Sequence, residues 1–461
     1  MFSFYAATLD LFKSCSLAVM AILLLTSAGA RADEKPAAFS FGGYMRAASG
    51  DNNLGGKQAC FNNPGTVGNE FRLGNECGIY GEATFRAHVL KGEKKTDPYF
   101  LSQLTLAYFP AADSQYEDSD IDADKRDINV VEAYVEGGNL DGMNIHYWAG
   151  KRFYRAVDIH MNDFFYFGNM SGTGGGVGGI DTGAGFLDVA IIRESALVTT
   201  GAPAVQSRVD SSVGPIGKTA LDLQLGSHLS DLDETRVWAV AAYSPPAYSQ
   251  VTNASYEAGR GFVGGVYYRR KLEANGFNDV SVSYGTGIMQ SLEMGTAVVL
   301  DGSGGNGANR LRVTEHLTRG FGPRFQTHFA ATYEDRDSGA SADAKSRWWN
   351  VGVRPFYVMS EHFHLVAEAG HSEVRDDADR SVAGSRIGAR TLNRVTFAPE
   401  VGIKSDIFGR PVIRFFVTHS MWNDDNRAFK NGTATKSVAG YNAFTTESSG
   451  TSVGFQSEVW F

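Results

Sequence analysis

The stretch that decides the fold closes the chain, Thr451-Ser452-Val453-Gly454-Phe455-Gln456-Ser457-Glu458-Val459-Trp460-Phe461. One parity holds Val453, Phe455, Val459 and Phe461, and the other holds Gly454, Gln456, Glu458 and Trp460. Successive side chains of a β-strand point to opposite faces. The pattern therefore predicts a strand with one apolar face and one polar face.

The same alternation recurs along the whole chain. Near the start, Phe39, Phe41 and Met45 alternate with polar residues. Comparable runs follow at 79–89, 99–109, 130–136, 236–243, 262–268, 280–284, 349–354, 364–370 and 412–421. Short turn signals join some runs, and long polar inserts such as 115–127, 335–347 and 423–447 separate others. Short turns at one end and long loops at the other are typical of an outer-membrane β-barrel.

Composition agrees with this interpretation and excludes other classes. The chain has 461 residues, 54 Gly, 30 Phe, 19 Tyr and 6 Trp. Its mean hydropathy of −0.21 is too low for a bundle of membrane helices. The net charge of −9 argues against a nucleic-acid partner. Strands can span lipid only as a closed barrel, with an apolar face towards lipid and a polar face towards a wet lumen. A large soluble exported β protein remains the alternative.

The N-terminus predicts export. An apolar run from Leu17 to Leu25 is followed by Ala30-Arg31-Ala32, which suits a cleaved secretory signal over residues 1–32 and a mature barrel over 33–461. The run is about half the roughly 20 residues that a spanning helix needs. Cleavage leaves Cys60 and Cys77, and two cysteines in an exported protein predict a disulfide.

Two short motifs suggest enzymes but lack the required context. Residues 174–179 fit a dinucleotide-binding glycine pattern, but no helix-forming run follows, and a flexible loop is expected there. Residues 450–454 fit a nucleophile elbow, but that motif turns from strand into helix, whereas here a strand continues to the last residue. We expect no enzyme activity, no metal site and no cofactor.

The lumen face carries aromatic residues that need a reason to be there. Strand parity places Tyr44 with Arg46, Tyr80 with Glu82, and Trp460 with Glu458. A ring beside ionisable groups suits sugars, because the C–H face of a pyranose stacks on the ring while its hydroxyls form charge-assisted hydrogen bonds. The alternative is that these rings merely pack against loops folded into the barrel.

Five segments of the sequence resemble the maltoporin family of sugar-specific outer-membrane porins. They are Phe41-Gly42-Gly43-Tyr44-Met45-Arg46, Phe71-Arg72-Leu73-Gly74-Asn75-Glu76-Cys77, Trp148 to Tyr154 with Asp158-Ile159-His160-Met161, Trp348 to Pro355, and Glu458-Val459-Trp460-Phe461. The resemblance implies an all-β transmembrane antiparallel barrel of 18 strands, assembled as a homotrimer in the outer membrane of a Gram-negative bacterium and contacting its lipid. It also implies a loop that folds inward to constrict the pore and an aromatic slide that guides oligosaccharides.

The resemblance assigns individual residues to this path. Slide positions are matched by Tyr44, Tyr80, Trp460 and Tyr116, the last being where a neighbouring subunit lends a Trp. Polar-track positions are matched by Arg46, Arg72 and Glu82, and constriction-loop positions by His160, Asp163 and Phe165. The mid-chain slide Phe has Phe262 as its candidate.

The sequence also departs from the family at several of these positions. Phe165 replaces a constriction Tyr, Met359 a slide Trp, Ala156 a track Arg and Gly168 a track Asp, and Val131 stands near another track Arg. We therefore expect a sugar porin, for maltose and maltodextrins or related oligosaccharides, with fewer hydrogen-bonding groups at its narrowest point. A nonspecific ion and solute porin and an exported soluble carbohydrate-binding β protein are the alternatives.

Overall fold

The computed structural model describes residues 38–94, 96–108, 128–196, 216–249, 254–273, 276–294, 307–340, 342–432, 434–439 and 444–461. The predicted signal at 1–32 and the predicted slide residue Tyr116 lie outside these ranges. Eighteen long strands within them pair into one sheet. In chain order they are β1 Phe39–Asn52, β2 Gly78–Leu90, β3 Tyr99–Tyr108, β4 Ile128–Gly138, β5 His146–Arg152, β6 Gly172–Asp181, β7 Phe186–Ala196, β8 Ile216–His228, β9 Asp233–Ser244, β10 Gly259–Lys271, β11 Phe277–Gly287, β12 Asn309–Phe321, β13 Phe325–Asp337, β14 Lys345–Val358, β15 Phe363–Asp376, β16 Arg390–Gly402, β17 Val412–Trp422 and β18 Ser449–Trp460.

Each strand pairs antiparallel with the next, and the last strand returns to the first. In the β1–β18 pair, Tyr44 lies opposite Trp460 and Asn52 opposite Ser452. This pairing closes the sheet into a barrel and leaves no free edge, as a sheet in lipid requires. The prediction of an 18-stranded antiparallel barrel is confirmed.

Shorter elements lie in the connections between the barrel strands. Val157–Ile159 pairs with Phe164–Phe167, and Ala247–Ser249 pairs with Ala254–Tyr256. Asp379–Ser381, Phe429–Asn431 and Ala434–Lys436 form a small three-stranded sheet. One-turn 3₁₀ helices occupy Leu140–Gly142, His160–Asn162 and Asp424–Asn426. None of the helices in the described part of the chain is long and apolar enough to cross a membrane.

The two faces of the barrel follow the alternation in the sequence. Along β17, Ile413, Phe415 and Val417 are exposed on the outside, whereas Arg414 and Thr418 are buried on the inside. In β18, Val453 and Phe455 face outward and Gln456 and Glu458 face inward. The outward side chains form the apolar surface that lipid demands, and the inward ones line the lumen.

Two connections fold into the lumen and fill much of it. We call residues 153–171, between β5 and β6, the inward loop, and residues 53–77, between β1 and β2, the first loop. From the inward loop, Phe167 packs among Trp238, Tyr267 and their neighbours on β5 and β7 to β10, and Tyr166 and Met161 pack against β13 to β15. The first loop packs against β14 to β17, and its Ala59 amide donates to the Ser452 hydroxyl of β18. A cavity remains along the wall formed by β18, β1 and β2, bordered by the inward loop.

The glycine run at 174–179 is not the flexible loop that its composition predicts. It belongs to β6, which pairs with β5 on one side and β7 on the other. A Cβ on Gly174 would lie 2.0 Å from the backbone oxygen of Ile191, and one on Gly176 would lie 2.6 Å from the Trp148 indole nitrogen. Close packing against neighbouring strands, rather than flexibility, is what requires glycine here.

Candidate functional site

Three aromatic rings lie side by side on the lumen wall. Tyr80 on β2, Tyr44 on β1 and Trp460 on β18 follow one another obliquely across the strands. The Tyr80 and Tyr44 ring centroids are 6.0 Å apart, and those of Tyr44 and Trp460 are 6.1 Å apart. All three line a cavity of about 690 Å³. The parity prediction that these residues face the lumen together is confirmed.

Ionisable side chains border this aromatic row. Arg46 donates to the carboxylates of Glu76 and Asp163, the latter at 2.6 Å. Arg72 lies 2.9 Å from Glu76 and 3.7 Å from Asp163. The Arg46 guanidinium also lies over the Tyr80 ring, 5.3 Å from its centroid. The pairs hold charged hydrogen-bonding groups at fixed positions beside the rings.

Glu458 joins the aromatic row to a second set of arginines. Its Oε1 accepts a hydrogen bond from the Tyr44 hydroxyl at 3.0 Å and lies 3.1 Å from Arg72. Its Oε2 accepts from Arg410 at 2.6 Å and from Arg414 at 3.1 Å. Arg410 in turn lies over the Trp460 ring, 5.2 Å from the centroid. The orientations of Tyr44 and Trp460 are therefore fixed by one carboxylate and its partners.

The inward loop places two predicted residues against these arginines. His160 is buried, with Nδ1 3.3 Å from Arg72 and Nε2 3.1 Å from Arg410. Burial, reinforced by the positive charge of Arg72, lowers the pKa of His160 well below its usual range, so the ring stays neutral and can accept a hydrogen bond. Burial alone would raise the pKa of Asp163, but Arg72 and Arg46 outweigh it and lower the pKa, so this carboxylate stays ionised.

The inward loop is held by the first loop. The Tyr166 hydroxyl donates to the backbone oxygen of Val67 at 2.7 Å, and the Arg72 amide donates to the backbone oxygen of Met161 at 2.9 Å. A disulfide between Cys60 and Cys77 closes most of the first loop, as predicted. The two loops thus position His160 and Asp163 as a single packed unit.

The remaining predicted residues have mixed outcomes. Glu82 accepts a hydrogen bond from the Tyr80 hydroxyl, and Phe165 lines the cavity with its ring 4.1 Å from the Arg155 guanidinium. Phe262 is wrong as a slide candidate, because its side chain is 60% exposed on the outer face of β10. Met359 lies in the turn between β14 and β15.

Several residues of the site were not predicted. Glu76 and Arg410 stand at the centre of the ion-pair network, and Thr84, Arg155, Asp158 and Asn169 line the cavity. Parity in β2 could have identified Thr84, since it shares a face with Tyr80 and Glu82. The others lie in loops, where alternation carries no information. No group of three or more His, Cys, Asp or Glu side chains that could hold a metal ion occurs in the described ranges.

The chain is similar in structure to an anion-selective porin from Comamonas acidovorans, with 10% identity, 91% of this chain and 99% of that chain covered, and a TM-score of 0.43. It is also similar to OccAB4 of Acinetobacter baumannii, with 8% identity, coverage of 93% and 99%, and a TM-score of 0.44. A third similar structure is OpdQ of Pseudomonas aeruginosa, with 8% identity, 92% of this chain and 97% of that chain covered, and a TM-score of 0.43.

The comparison with family models covers almost the whole barrel. The model described as LamB porin matches residues 39–461, from the first residue of β1 to the end of the chain. That range contains every strand of the closed barrel and the whole aromatic row. The chain is therefore an outer-membrane β-barrel that belongs to the LamB porin family.

Proposed function

We propose that the protein is a sugar-selective porin, through which oligosaccharides cross the outer membrane by passive diffusion. The observation that carries the proposal is the continuous row formed by Tyr80, Tyr44 and Trp460 on one wall of the lumen. The pyranose rings of the sugar stack on this row. No cofactor and no energy source takes part.

The ionisable residues supply the second half of sugar recognition. Arg46, Arg72, Glu82 and Asp163 stand at the edge of the row, within the same cavity. A stacked sugar directs its hydroxyls sideways, where charged groups make hydrogen bonds stronger than neutral ones do. Several moderate contacts in series let a sugar enter and also leave, which conduction requires.

The proposed substrates are maltose, maltodextrins or related oligosaccharides. Phe165, Ala156 and Gly168 offer no side-chain hydrogen bond to a sugar at the inward loop. This favours neutral oligosaccharides that bind by stacking, including sucrose and β-glucosides. If sugars do not stack on the aromatic row, the loss of hydrogen-bonding side chains at these three positions favours a porin without sugar preference.

Sugar block of ion current tests the proposal. Purified protein in a planar bilayer is titrated with a series of malto-oligosaccharides, sucrose and β-glucosides at millimolar concentration. We expect block that saturates, and a rise of about tenfold in the half-saturating concentration for Tyr80→Ala or Trp460→Ala, equivalent to roughly 1.4 kcal/mol of lost apolar contact. Phe455→Ala is the matched control, because Phe455 shares β18 with Trp460 but faces outward. If no sugar in the series blocks the ion current, the proposal of sugar selectivity is wrong.

We further propose that residues 1–32 are removed on export and that the mature protein is a homotrimer in which Tyr116 contributes to a neighbouring pore. Membership of the LamB porin family supports this assembly. N-terminal sequencing and native mass spectrometry in detergent test it. A mature chain starting at Met1, or a monomer at all detergent concentrations, would contradict these two assignments.

A further inference from the structure

Arg155 of the inward loop lies in a stack between two aromatic rings. Its guanidinium carbon is 3.9 Å from the Phe153 ring centroid and 4.1 Å from the Phe165 ring centroid. Both distances are well inside the range in which a cation is attracted to a ring face. The two rings therefore limit how far the guanidinium group can move.

The stack leaves the hydrogen-bonding edge of the group free. A guanidinium carries five N–H donors around its rim and none on its faces. Arg155 is exposed, and within the described part of the chain it forms no hydrogen bond or ion pair. By contrast, Arg46 and Arg72 direct their donors at Glu76 and Asp163. Arg155 thus presents donors that the protein itself does not use.

Arg155 borders two cavities. Arg155 lines the cavity of about 690 Å³ that contains the aromatic row, and also a smaller one of about 160 Å³ enclosed by β5 to β9. The smaller cavity is also lined by Trp148, Tyr154 and Arg236. The stacked residue therefore stands between the main path and a polar recess behind it.

We propose that Arg155 is a sugar-binding residue of this pore, whose stacked guanidinium donates hydrogen bonds to saccharide hydroxyls at the constriction. The inference rests on the proposed sugar-porin function and goes beyond it, since it assigns the donor at the point where Ala156, Gly168 and Phe165 provide none. The ring of Phe165 acts here by holding Arg155 in place.

The test compares sugar block and ion selectivity in three variants. Arg155→Met keeps an unbranched chain between the rings but removes every donor. We expect its half-saturating sugar concentration to rise about tenfold or more, the usual effect of losing hydrogen bonds to a charged group. Arg155→Lys keeps the charge without the planar fork. It should retain the wild-type reversal potential in a salt gradient and still bind sugar at least about threefold more weakly.

Arg319→Met is the matched control. Arg319 also lies over a phenylalanine, 5.3 Å from the Phe321 ring centroid, but on the outer face of β12. It should leave sugar block and reversal potential unchanged. Wild-type sugar affinity in Arg155→Met or in Arg155→Lys would overturn the inference, and barrel folding in each variant is checked by its heat-dependent mobility shift on gels.

Failure of the inference is distinguishable from failure of the proposed function. If no sugar blocks the wild-type pore, the sugar-porin function is wrong. If sugars block the wild-type pore and Tyr80→Ala weakens the block while Arg155→Met does not, the function stands and only the role of Arg155 is wrong.

Discussion

Glu458→Gln is expected to destabilise the barrel by about 3–5 kcal/mol and to shift the pore towards anions. The carboxylate accepts hydrogen bonds from Tyr44, Arg410 and Arg414 and lies 3.1 Å from Arg72. One carboxylate thus contacts three buried guanidinium groups. A neutral amide at this position would supply no negative charge to them, and its NH₂ group would face an arginine.

The expected loss of stability depends on which ion-pair and hydrogen-bond partners each arginine keeps in Glu458→Gln. Arg72 and Arg414 each keep another carboxylate within 3 Å, those of Glu76 and Glu400. Arg410 keeps only neutral hydrogen-bond acceptors among the described residues. Removing one partner of a buried ion pair costs about 3–5 kcal/mol, because the remaining charge is left uncompensated. The expected loss of stability is therefore that of breaking one buried ion pair, Arg410–Glu458.

Urea unfolding in detergent micelles, followed by tryptophan fluorescence, measures the loss, and reversal potentials in a salt gradient measure selectivity. Glu234→Gln is the control, because Glu234 is a half-buried lumen carboxylate 3.9 Å from Arg236, and its loss should cost under about 1 kcal/mol. Combining Glu458→Gln with Arg410→Met should restore most of the stability. A loss below about 1 kcal/mol in Glu458→Gln, or a double variant no more stable than the single one, would refute the reasoning.

Two further predictions concern the first loop. Burial raises the pKa of Glu70 from 4.5 to about 7, so the native state keeps a proton that the unfolded chain releases, and stability should fall by roughly 3 kcal/mol as pH rises from about 4.5 to about 7. Melting temperatures at pH 5 and pH 8 should show this fall in the wild type and not in Glu70→Gln; equal falls in both proteins would contradict it. A Cβ on Gly370 would lie 2.4 Å from the Phe71 ring, so Gly370→Ala should cost about 1–3 kcal/mol in urea unfolding. Gly264→Ala, with nothing within 4 Å of its Cβ, is the control, and an equal effect in both variants would sink the packing argument.

The part of the site that sequence could predict is the part that lies on strands. The two faces of a lipid-spanning strand meet two uniform environments, so parity alone places Tyr44 and Tyr80 inside. The same rule excludes Phe262, which shares its face with the exposed Val266. The resemblance alone, which offers Phe262 as a candidate for the mid-chain slide Phe, does not say on which face of β10 the side chain lies.

Parity could not predict the residues that come from loops and turns. Glu76 ends the first loop and Arg410 lies in the turn between β16 and β17, and neither segment has a periodic pattern. Their positions depend on how the loops pack inside the lumen, which is decided by contacts such as Phe167 against Trp238. A local pattern in the sequence cannot predict such contacts between distant parts of the chain.

The strand pair that closes the barrel also completes the aromatic row. Tyr44 and Trp460 are directly opposite each other in the β1–β18 pair, which joins the two ends of the sheet. Glu458, beside Trp460, is also the carboxylate that holds Tyr44, so the last strand brings both the third ring and the group that orients the second. Until β18 has paired with β1, the row consists of Tyr80 and Tyr44 alone and Arg72 lacks one of its carboxylates. The ion pairs around Glu458 therefore lie both at the strand pair that closes the barrel and at the wall along which we propose that sugars pass.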